Sequence, residues 1–174
     1  MADSATRKMF QESQNRVHSM ALIHESLYQS ENLSEIDFPK YIEQLAAHLF
    51  RSYGADPVRV KISAMIDDLR LPIDTAVPCG LIINELVSNS LKYAFREGRS
   101  GEIRIAMREE KNRCIRLEVS DNGIGLPPGV DFTSTKSLGL RLVHTLGDQL
   151  CATIKTGSAT GAFIALTFPA GGHR

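Results

Sequence analysis

A glycine-rich turn that directly follows an alternating strand is the feature of this sequence that most constrains its fold. Residues 114–120 (Cys-Ile-Arg-Leu-Glu-Val-Ser) alternate between apolar and polar side chains, which predicts a half-buried β-strand. Residues 121–127 (Asp-Asn-Gly-Ile-Gly-Leu-Pro) place an aspartate at the end of that strand and two glycines in the loop after it. Because glycine adopts positive φ and has no Cβ, a flat polar ligand can come close enough to donate hydrogen bonds to Asp121. The alternative is a simple turn, since Asp-Asn-Gly is a strong turn sequence.

Polar side chains interrupt the apolar helix that is predicted between Asp74, its expected N-cap, and about Phe95. Glu85 and Asn89 are four residues apart and therefore share a face, and Lys92 lies on the neighbouring track. A carboxylate, an amide and an ammonium group in this arrangement suit a hydrated Mg²⁺ ion and phosphate oxygens, because Mg²⁺ prefers hard oxygen ligands. The alternative is an ordinary solvated face. Asparagine is a poor helix former, so the sequence favours the binding interpretation.

A glycine in the first turn of a further predicted helix, residues 138–150, marks a second candidate phosphate site. Gly139 lowers helix stability, yet it exposes the free N–H groups of a helix N-terminus, which attract phosphate. The alternative is a glycine required for close packing. The preceding segment, residues 127–137, is polar and rich in turn-forming residues, which predicts a loop that becomes ordered on binding.

The remaining segments complete one domain. Helical periodicity covers residues 2–31 and 37–54, and alternation predicts strands at 58–66 and 69–72, then a hairpin and two last strands. We expect an α/β (α+β) two-layer sandwich, in which three helices cover one face of a mixed, mostly antiparallel sheet and the N-terminal amphipathic helix is added.

The N-terminal helix carries a long apolar stripe that needs a partner surface. The stripe consists of Val17, Met20, Ala21, His24, Leu27 and Tyr28, and the other face carries Gln11, Glu12, Gln14, Asn15, Arg16 and Glu25. Two alternatives fit this pattern. The stripe packs on a partner helix, in this chain or in a second copy, or it packs on the domain that follows.

Composition and charge exclude several classes of protein. The chain has 174 residues and equal numbers of basic and acidic side chains, and its net charge of zero argues against a nucleic-acid partner. No apolar run approaches the length of a membrane span, so we expect no membrane contact. The histidines form no zinc-binding spacing with cysteine. The widely separated Cys79, Cys114 and Cys151 predict buried free thiols in a reducing cytoplasm.

Three of these stretches together resemble the motifs of the GHKL ATP-binding fold, which DNA gyrase, heat-shock chaperones and histidine kinases share. Residues 84–95 resemble its N box, residues 121–125 its first glycine box and residues 137–140 its second glycine box. Gly161 resembles the glycine of the last box only in part, because Ala162 follows it where a threonine is common. The resemblance covers about residues 37 to 169.

A closer resemblance is to bacterial sensor histidine kinases of the HisKA_2 and HWE group, and residues 13–28 and 36–41 carry it. In that family this helix is the second of a dimerising hairpin. The phosphate-accepting histidine lies on the first helix, in a His-Arg-Val-Lys-Asn-Asn-like motif. This sequence contains no such motif, and His18 and His24 match helix-face or packing positions of the second helix.

The resemblance divides the chain into two parts. It implies a remnant of the dimerisation hairpin at residues 1–36, with homodimerisation through residues 1–31, and an ATP-binding catalytic domain at residues 37–174. It implies a cytoplasmic two-component protein histidine kinase with ATP and Mg²⁺ as cofactors. The γ-phosphate would go to a histidine on a helix absent from this chain, and a response regulator would be a further partner.

The resemblance also implies roles for individual residues. Asn89 would ligate Mg²⁺, and Lys92 would contact phosphate. Glu85 stands where related ATPases place a general base, and in a kinase it would instead hold a metal-bound water or polarise the attacking imidazole. Asp121 would accept a hydrogen bond from the adenine amine, and residues 127–137 would form a short lid. The other residues expected to bind ATP are Gly123, Gly125, Lys136, Leu138, Gly139, Leu140 and Gly161.

Two other functions fit the same motifs. A protein of this fold can phosphorylate a serine of a partner protein or act as a plain ATPase, and an upstream His-Arg-Val-Lys-like helix would decide for histidine. A protein of a different class would be a nucleotide-free adaptor that binds a response regulator. Degenerate relatives of that kind tend to lose the Asn and Gly boxes, and both are present here.

Overall fold

Four helices and seven strands make up the described part of the computed structural model, residues 2–29, 34–125, 137–158 and 160–170. The helices are α1 (Ala2–Gln29), α2 (Phe38–Ser52), α3 (Ile73–Tyr93) and α4 (Leu138–Gln149), with a 3-10 helix at Arg96–Gly98. The strands are β1 (Glu35–Asp37), β2 (Val60–Ile66), β3 (Arg70–Pro72), β4 (Gly101–Glu110), β5 (Cys114–Asp121), β6 (Thr153–Gly157) and β7 (Phe163–Pro169). None of these described helices has both the length and the hydropathy that a membrane span requires.

The main sheet has the strand order β2-β4-β5-β7-β6. β2 and β4 run parallel, and the other three pairs are antiparallel. β1 and β3 form a separate two-stranded antiparallel sheet. The predicted two-layer fold with a mixed, mostly antiparallel sheet is therefore confirmed.

The register of the β4–β5 hairpin carries Asp121 to the side of the sheet that the helices cover. Ile105 lies opposite Val119, and Ile103 lies opposite Asp121. Because side chains on a strand alternate between faces, residues that pair across the hairpin share a face. Ile103 and Ile105 are fully buried in the core beneath the helices, so Asp121 lies at the edge of that core.

The helix starts follow local chemistry, with one difference from expectation. Oδ1 of Asp37 accepts a hydrogen bond from the backbone N–H of Lys40 at 3.1 Å, as an N-cap does. The prediction that Asp74 caps α3 is wrong, because the helix begins at Ile73 after Pro72 and has no side-chain cap. Proline has a fixed φ that suits a helix start. Asp74 lies instead in the first turn, where a negative charge is favourable near the helix dipole.

The helix α1 packs onto the domain through the side that carries Asn15 and Ser19 and leaves most of its apolar stripe exposed, although Leu27 is half-buried against the core. Asn15 and Ser19 are buried together with Ile23, whereas Val17 and Tyr28 are 66% and 83% exposed. The alternative in which the stripe packs on the domain that follows is therefore wrong for all of its residues except Leu27. The polar face is buried because its side chains find hydrogen-bond and ionic partners on α2 and α3.

The cysteines differ in their burial. Cys79 on α3 is buried, and burial raises the pKa of its thiol. Cys114 is half-buried and Cys151 is exposed, so the expected burial is wrong for Cys151. The reason is local, since Cys151 lies in the turn after α4 with a φ of 53°.

Candidate functional site

A cleft of about 580 Å³ is lined by α3, the start of α4 and the loop after β5. It contains residues from all three predicted motifs: Glu85, Asn89, Lys92, Asp121, Gly125, Leu138, Gly139 and Leu140. Further lining residues are Glu12, Leu86, Ser90, Tyr93, Ala94, Arg96, Ile124, Ser137, Ala162 and Ile164. Segments that are distant in the sequence therefore meet at one concave surface, as is usual for a ligand site.

A second cavity of about 440 Å³ borders the turn between β6 and β7. Of the predicted binding residues, it is lined by Asp121 and Gly161. The polar residues of α3 do not line it. The larger cleft is therefore the candidate site, and Gly161 lies behind Asp121.

The Asp121 carboxylate is buried, with 8% of the residue exposed, and the protein itself holds it in place. Oδ1 accepts hydrogen bonds from the backbone N–H groups of Gly123 at 3.0 Å and Ala162 at 3.2 Å. Oδ2 accepts one from the hydroxyl of Ser90 at 2.6 Å. Each carboxylate oxygen offers about two acceptor positions, so Oδ2 keeps one position for a ligand donor.

Two glycines allow the chain to pass close to this carboxylate. A Cβ on Gly123 would lie 2.4 Å from the carbonyl oxygen of Ala94. Gly161 has a φ of +118°, and a Cβ there would lie 1.8 Å from the carbonyl oxygen of Asp121. The backbone contacts around the site therefore exclude any larger residue at both positions.

The Glu85 carboxylate is almost fully enclosed, with 5% of the residue exposed. Nε and Nη2 of Arg16 on α1 donate to its two oxygens at 2.6 and 2.9 Å, which is a bidentate ion pair. Nδ2 of Asn84 donates to Oε1 at 3.1 Å. The hydrogen bond to Glu85 is the largest of the effects that raise the pKa of Arg16. Glu85 is therefore held beside a permanently charged guanidinium group.

Lys92 lies two turns further along α3 and is also paired with α1. Its Nζ lies 2.8 Å from Oε1 of Glu12, and the two side chains are 19% and 30% exposed. The half-buried Asn89 lies between Glu85 and Lys92 along the helix and lines the same cleft. The three polar residues that the sequence singles out on α3 therefore share one wall of the cleft.

The start of α4 packs closely against α3. Ser137 is the N-cap, and its hydroxyl accepts a hydrogen bond from the N–H of Leu140 at 3.3 Å. A Cβ on Gly139 would lie 2.5 Å from Oε2 of Glu85. This glycine therefore lets α4 come close to the Glu85 carboxylate, and the first turn of α4 still faces the cleft. Leu138 lines the cleft beside it and is 62% exposed.

Some of the residues predicted for the site lie outside the described part of the chain. Other residues lie at the site in the structure but were not predicted from the sequence. Lys136 and all of the expected lid except Ser137 fall outside the described residues. The predictions did not include Ser90, nor the two α1 residues Glu12 and Arg16. A hydroxyl one residue after Asn89 is a weak signal for Ser90, because serine is common on helices.

Two family profiles match the chain. One, described as histidine kinase, matches residues 1–53. The other, described as histidine kinase-, DNA gyrase B-, and HSP90-like ATPase, matches residues 74–172. The second match spans more than half of the chain and includes every residue that lines the cleft except Glu12.

Curated relatives and solved structures agree with these profiles. Sensor histidine kinase PdtaS of Mycobacterium tuberculosis is 32% identical over 143 residues, which is 80% of this chain and 28% of that protein. Blue-light-activated histidine kinase 2 of Erythrobacter litoralis is 28% identical over 130 residues, 74% of this chain and 37% of that protein. The chain thus spans about a third of these relatives. The histidine kinase domain of Erythrobacter litoralis EL346 has the same fold, with a TM-score of 0.82 and 23% identity over 91% of this chain and 75% of that one.

Proposed function

Because the chain belongs to the family of histidine kinase-, DNA gyrase B- and HSP90-like ATPases, we propose that it is the ATP-binding catalytic domain of a two-component sensor histidine kinase. One observation carries this proposal. A single cleft contains a buried carboxylate with a free acceptor position together with a lysine, an amide and the first turn of a helix. These groups suit a ligand that has both an amine on an aromatic ring and a chain of phosphates.

Asp121 supports the adenine part of this proposal. Its Oδ2 would accept a hydrogen bond from the exocyclic amine, and Ser90 would keep that oxygen in position. The backbone at Gly123 and Gly125 would shape the pocket for the flat ring. A buried carboxylate that already accepts three hydrogen bonds is rigid. Its Oδ2 is therefore oriented for the adenine amine before the ligand binds.

Asn89, Lys92 and the first turn of α4 support the phosphate part. Lys92 would contact phosphate oxygens, and the N–H groups near Leu138, Gly139 and Leu140 would add partial positive charge. Lys136 in the lid and Gly161 would complete the set. Asn89 would hold Mg²⁺, which when bound neutralises charge on the phosphates. Among the described residues, no group of three or more His, Cys, Asp or Glu side chains could hold a metal ion. An amide oxygen suits Mg²⁺, which commonly relies on phosphate oxygens and water for its other ligands.

Glu85 would act at the transfer step. Its carboxylate would accept a hydrogen bond from the attacking imidazole and orient the ring toward the γ-phosphate. Phosphoryl transfer depends mainly on positioning and charge neutralisation, and the wall formed by Glu85, Asn89 and Lys92 would supply both.

The accepting histidine would come from a helix that packs on the exposed stripe of α1. His18 is a poor acceptor, because its ring stacks on that of His48 with the centroids 3.6 Å apart. In this proposal residues 1–36 belong to the dimerisation hairpin and residues 37–174 to the catalytic domain. A second copy, a response regulator and a cytoplasmic location belong to the same proposal.

Nucleotide binding is the first test of this function. Calorimetric titration with a non-hydrolysable ATP analogue should show binding that depends on Mg²⁺. The variant Asp121→Asn should bind roughly tenfold or more weakly, because its amide places a donor against either the adenine amine or the N–H of Gly123.

The matched control is Asp148→Asn, which makes the same change on an exposed residue of α4 outside the cleft. It should bind like the wild type, and circular dichroism should show that all three proteins are folded. If the folded wild-type protein binds no nucleotide, the proposed function is wrong and the adaptor interpretation gains support.

A further inference from the structure

Two ion pairs join α1 to the same residues that line the phosphate side of the candidate site. Glu12 pairs with Lys92, and one helical turn further along α1 Arg16 pairs with Glu85. The two helices run antiparallel at this contact, and each residue of α1 carries the charge opposite to that of its partner. We call this set of four residues the α1–α3 charge contact.

We propose that the α1–α3 charge contact is inhibitory, and that nucleotide triphosphate and this docked position of α1 compete for Lys92 and Glu85. The inference rests on the proposed function of the cleft. It adds a role for α1, whose position would set the affinity for the phosphates while leaving the adenine part of the site unchanged.

The competition at Lys92 follows from the location of Glu12. The Glu12 carboxylate lines the cleft and lies 2.8 Å from the ammonium group of Lys92. A phosphate oxygen that approaches Lys92 meets the Glu12 carboxylate. This carboxylate already accepts from one N–H of the ammonium group, and its negative charge repels the negatively charged phosphate. Binding of the triphosphate therefore requires Glu12 to move away.

The same docking restricts the Glu85 carboxylate. Its Oε1 accepts hydrogen bonds from Arg16 and Asn84, so both acceptor positions of that oxygen are used. Its Oε2 accepts from Arg16 and lies against Gly139. An incoming imidazole finds little acceptor capacity on Glu85 until Arg16 withdraws.

The packing of α1 against α3 contains features that favour release of α1 from α3. Among the described residues, Nδ2 of Asn15 on α1 and both Oδ1 of Asn84 and Oγ of Ser88 on α3 are buried without a hydrogen-bond partner. Such orphaned polar atoms destabilise the docked position. The N-terminal half of α1 is therefore held to α3 mainly by charge, which salt screens, and not by burial of its apolar stripe.

The C-terminal half of α1 is anchored differently. Ile23 is fully buried in the core, and the hydroxyl of Ser19 lies 2.9 Å from that of the buried Tyr41. The N-terminal half is held by α2 as well, where Gln11 and Asn15 form hydrogen bonds with Ser52. Movement of this half away from the cleft therefore breaks these contacts too, while Ile23 and Ser19 keep the C-terminal half in place.

Replacing Glu12 by Gln tests the competition directly. We expect Glu12→Gln to bind a non-hydrolysable ATP analogue with Mg²⁺ roughly threefold to tenfold more tightly than the wild type. Adenosine, which carries no phosphate, should bind both proteins equally. The matched control is Glu25→Gln, which removes the same charge from an exposed position of the same helix. It should change neither affinity.

Measurements at high salt, and with the ATP analogue and adenosine, distinguish failure of the inhibitory role from failure of the proposed function. High salt should narrow the difference between Glu12→Gln and the wild type, because the ion pair is screened. If the wild type binds the ATP analogue and Glu12→Gln binds it equally or more weakly, the inhibitory role is overturned while the proposed function stands. If the wild type binds neither ligand, the proposed function fails and the inhibitory role fails with it.

Discussion

At the residue scale, the environment of Asp121 shows how a short motif becomes a binding site. The carboxylate is fixed by two backbone N–H groups and one hydroxyl. The backbone donors are Gly123, which follows β5, and Ala162, which precedes the neighbouring strand β7. The glycines matter because they bring those N–H groups within reach. A turn with larger residues would keep the aspartate and lose the donors that orient it.

Gly123 provides a prediction about stability. A Cβ at this position would lie 2.4 Å from the backbone oxygen of Ala94, which cannot move without displacing the end of α3. Gly123→Ala should therefore lower the free energy of unfolding by roughly 1–3 kcal/mol, as overpacking of a buried site does. Urea unfolding at neutral pH measures this change.

Gly157→Ala is the control for that substitution. A Cβ on Gly157 would meet Phe163 at 3.7 Å, an ordinary contact, and the strand position favours a side chain over glycine. This variant should be as stable as the wild type or slightly more stable. Equal losses in the two variants would show that the close contact with Ala94 is not what requires Gly123.

At the element scale, the junction of α1 and α2 contains a pair of stacked histidine rings. The rings of His18 and His48 stack, and Nε2 of His48 lies 3.2 Å from Oδ1 of Asn15. The pKa of His48 lies below its usual value, first because burial disfavours the imidazolium ion and then because His18 and Arg51 lie nearby. The packing of α1 on α2 therefore favours neutral His48.

The lowered pKa of His48 predicts that the folded protein becomes less stable in acid. The unfolded chain protonates His48 near pH 6.5, whereas the folded protein does so only at lower pH. The unfolded state thus binds more protons in that window, so the free energy of unfolding falls as the pH drops from about 7.5 through about 5.5. Urea unfolding across this range should show a shallower pH dependence for His48→Gln than for the wild type.

His24→Gln is the control for the pH experiment, because His24 is exposed on α1. It should keep the wild-type pH dependence. If His48→Gln retains the full dependence, another group is responsible and the stacked pair is not the cause.

Local patterns predict most of the elements, and long-range contacts explain what they miss. The strand before Asp121, the hairpin and the polar residues of α3 are each visible within about twenty residues of sequence. The contacts of α1 with α3 join residues 69 and 80 positions apart. The helical spacing of apolar residues in α1 does not indicate which side of the helix packs on the domain. That side is decided by the hydrogen-bond and ionic partners that α3 provides.

At the scale of the whole molecule, the exposed stripe of α1 is the surface that needs explanation. Its side chains Val17, Met20 and Tyr28 are 66%, 41% and 83% exposed. Several exposed apolar side chains on one face of a helix are typical of a site where another chain binds. The proposed hairpin would cover the stripe with its first helix, and a second copy of the chain can cover it in the same way.

Self-association through this stripe is therefore expected. Analytical ultracentrifugation of the wild type should show a concentration-dependent dimer. Val17→Glu should weaken that dimer at least roughly tenfold, because a carboxylate would be buried in an apolar interface. Val58→Glu makes the same change at a position that is 85% exposed and outside α1, so it should dimerise like the wild type. A wild type that stays monomeric at all concentrations would rule out the second copy and leave the first helix of a hairpin as the partner of the stripe.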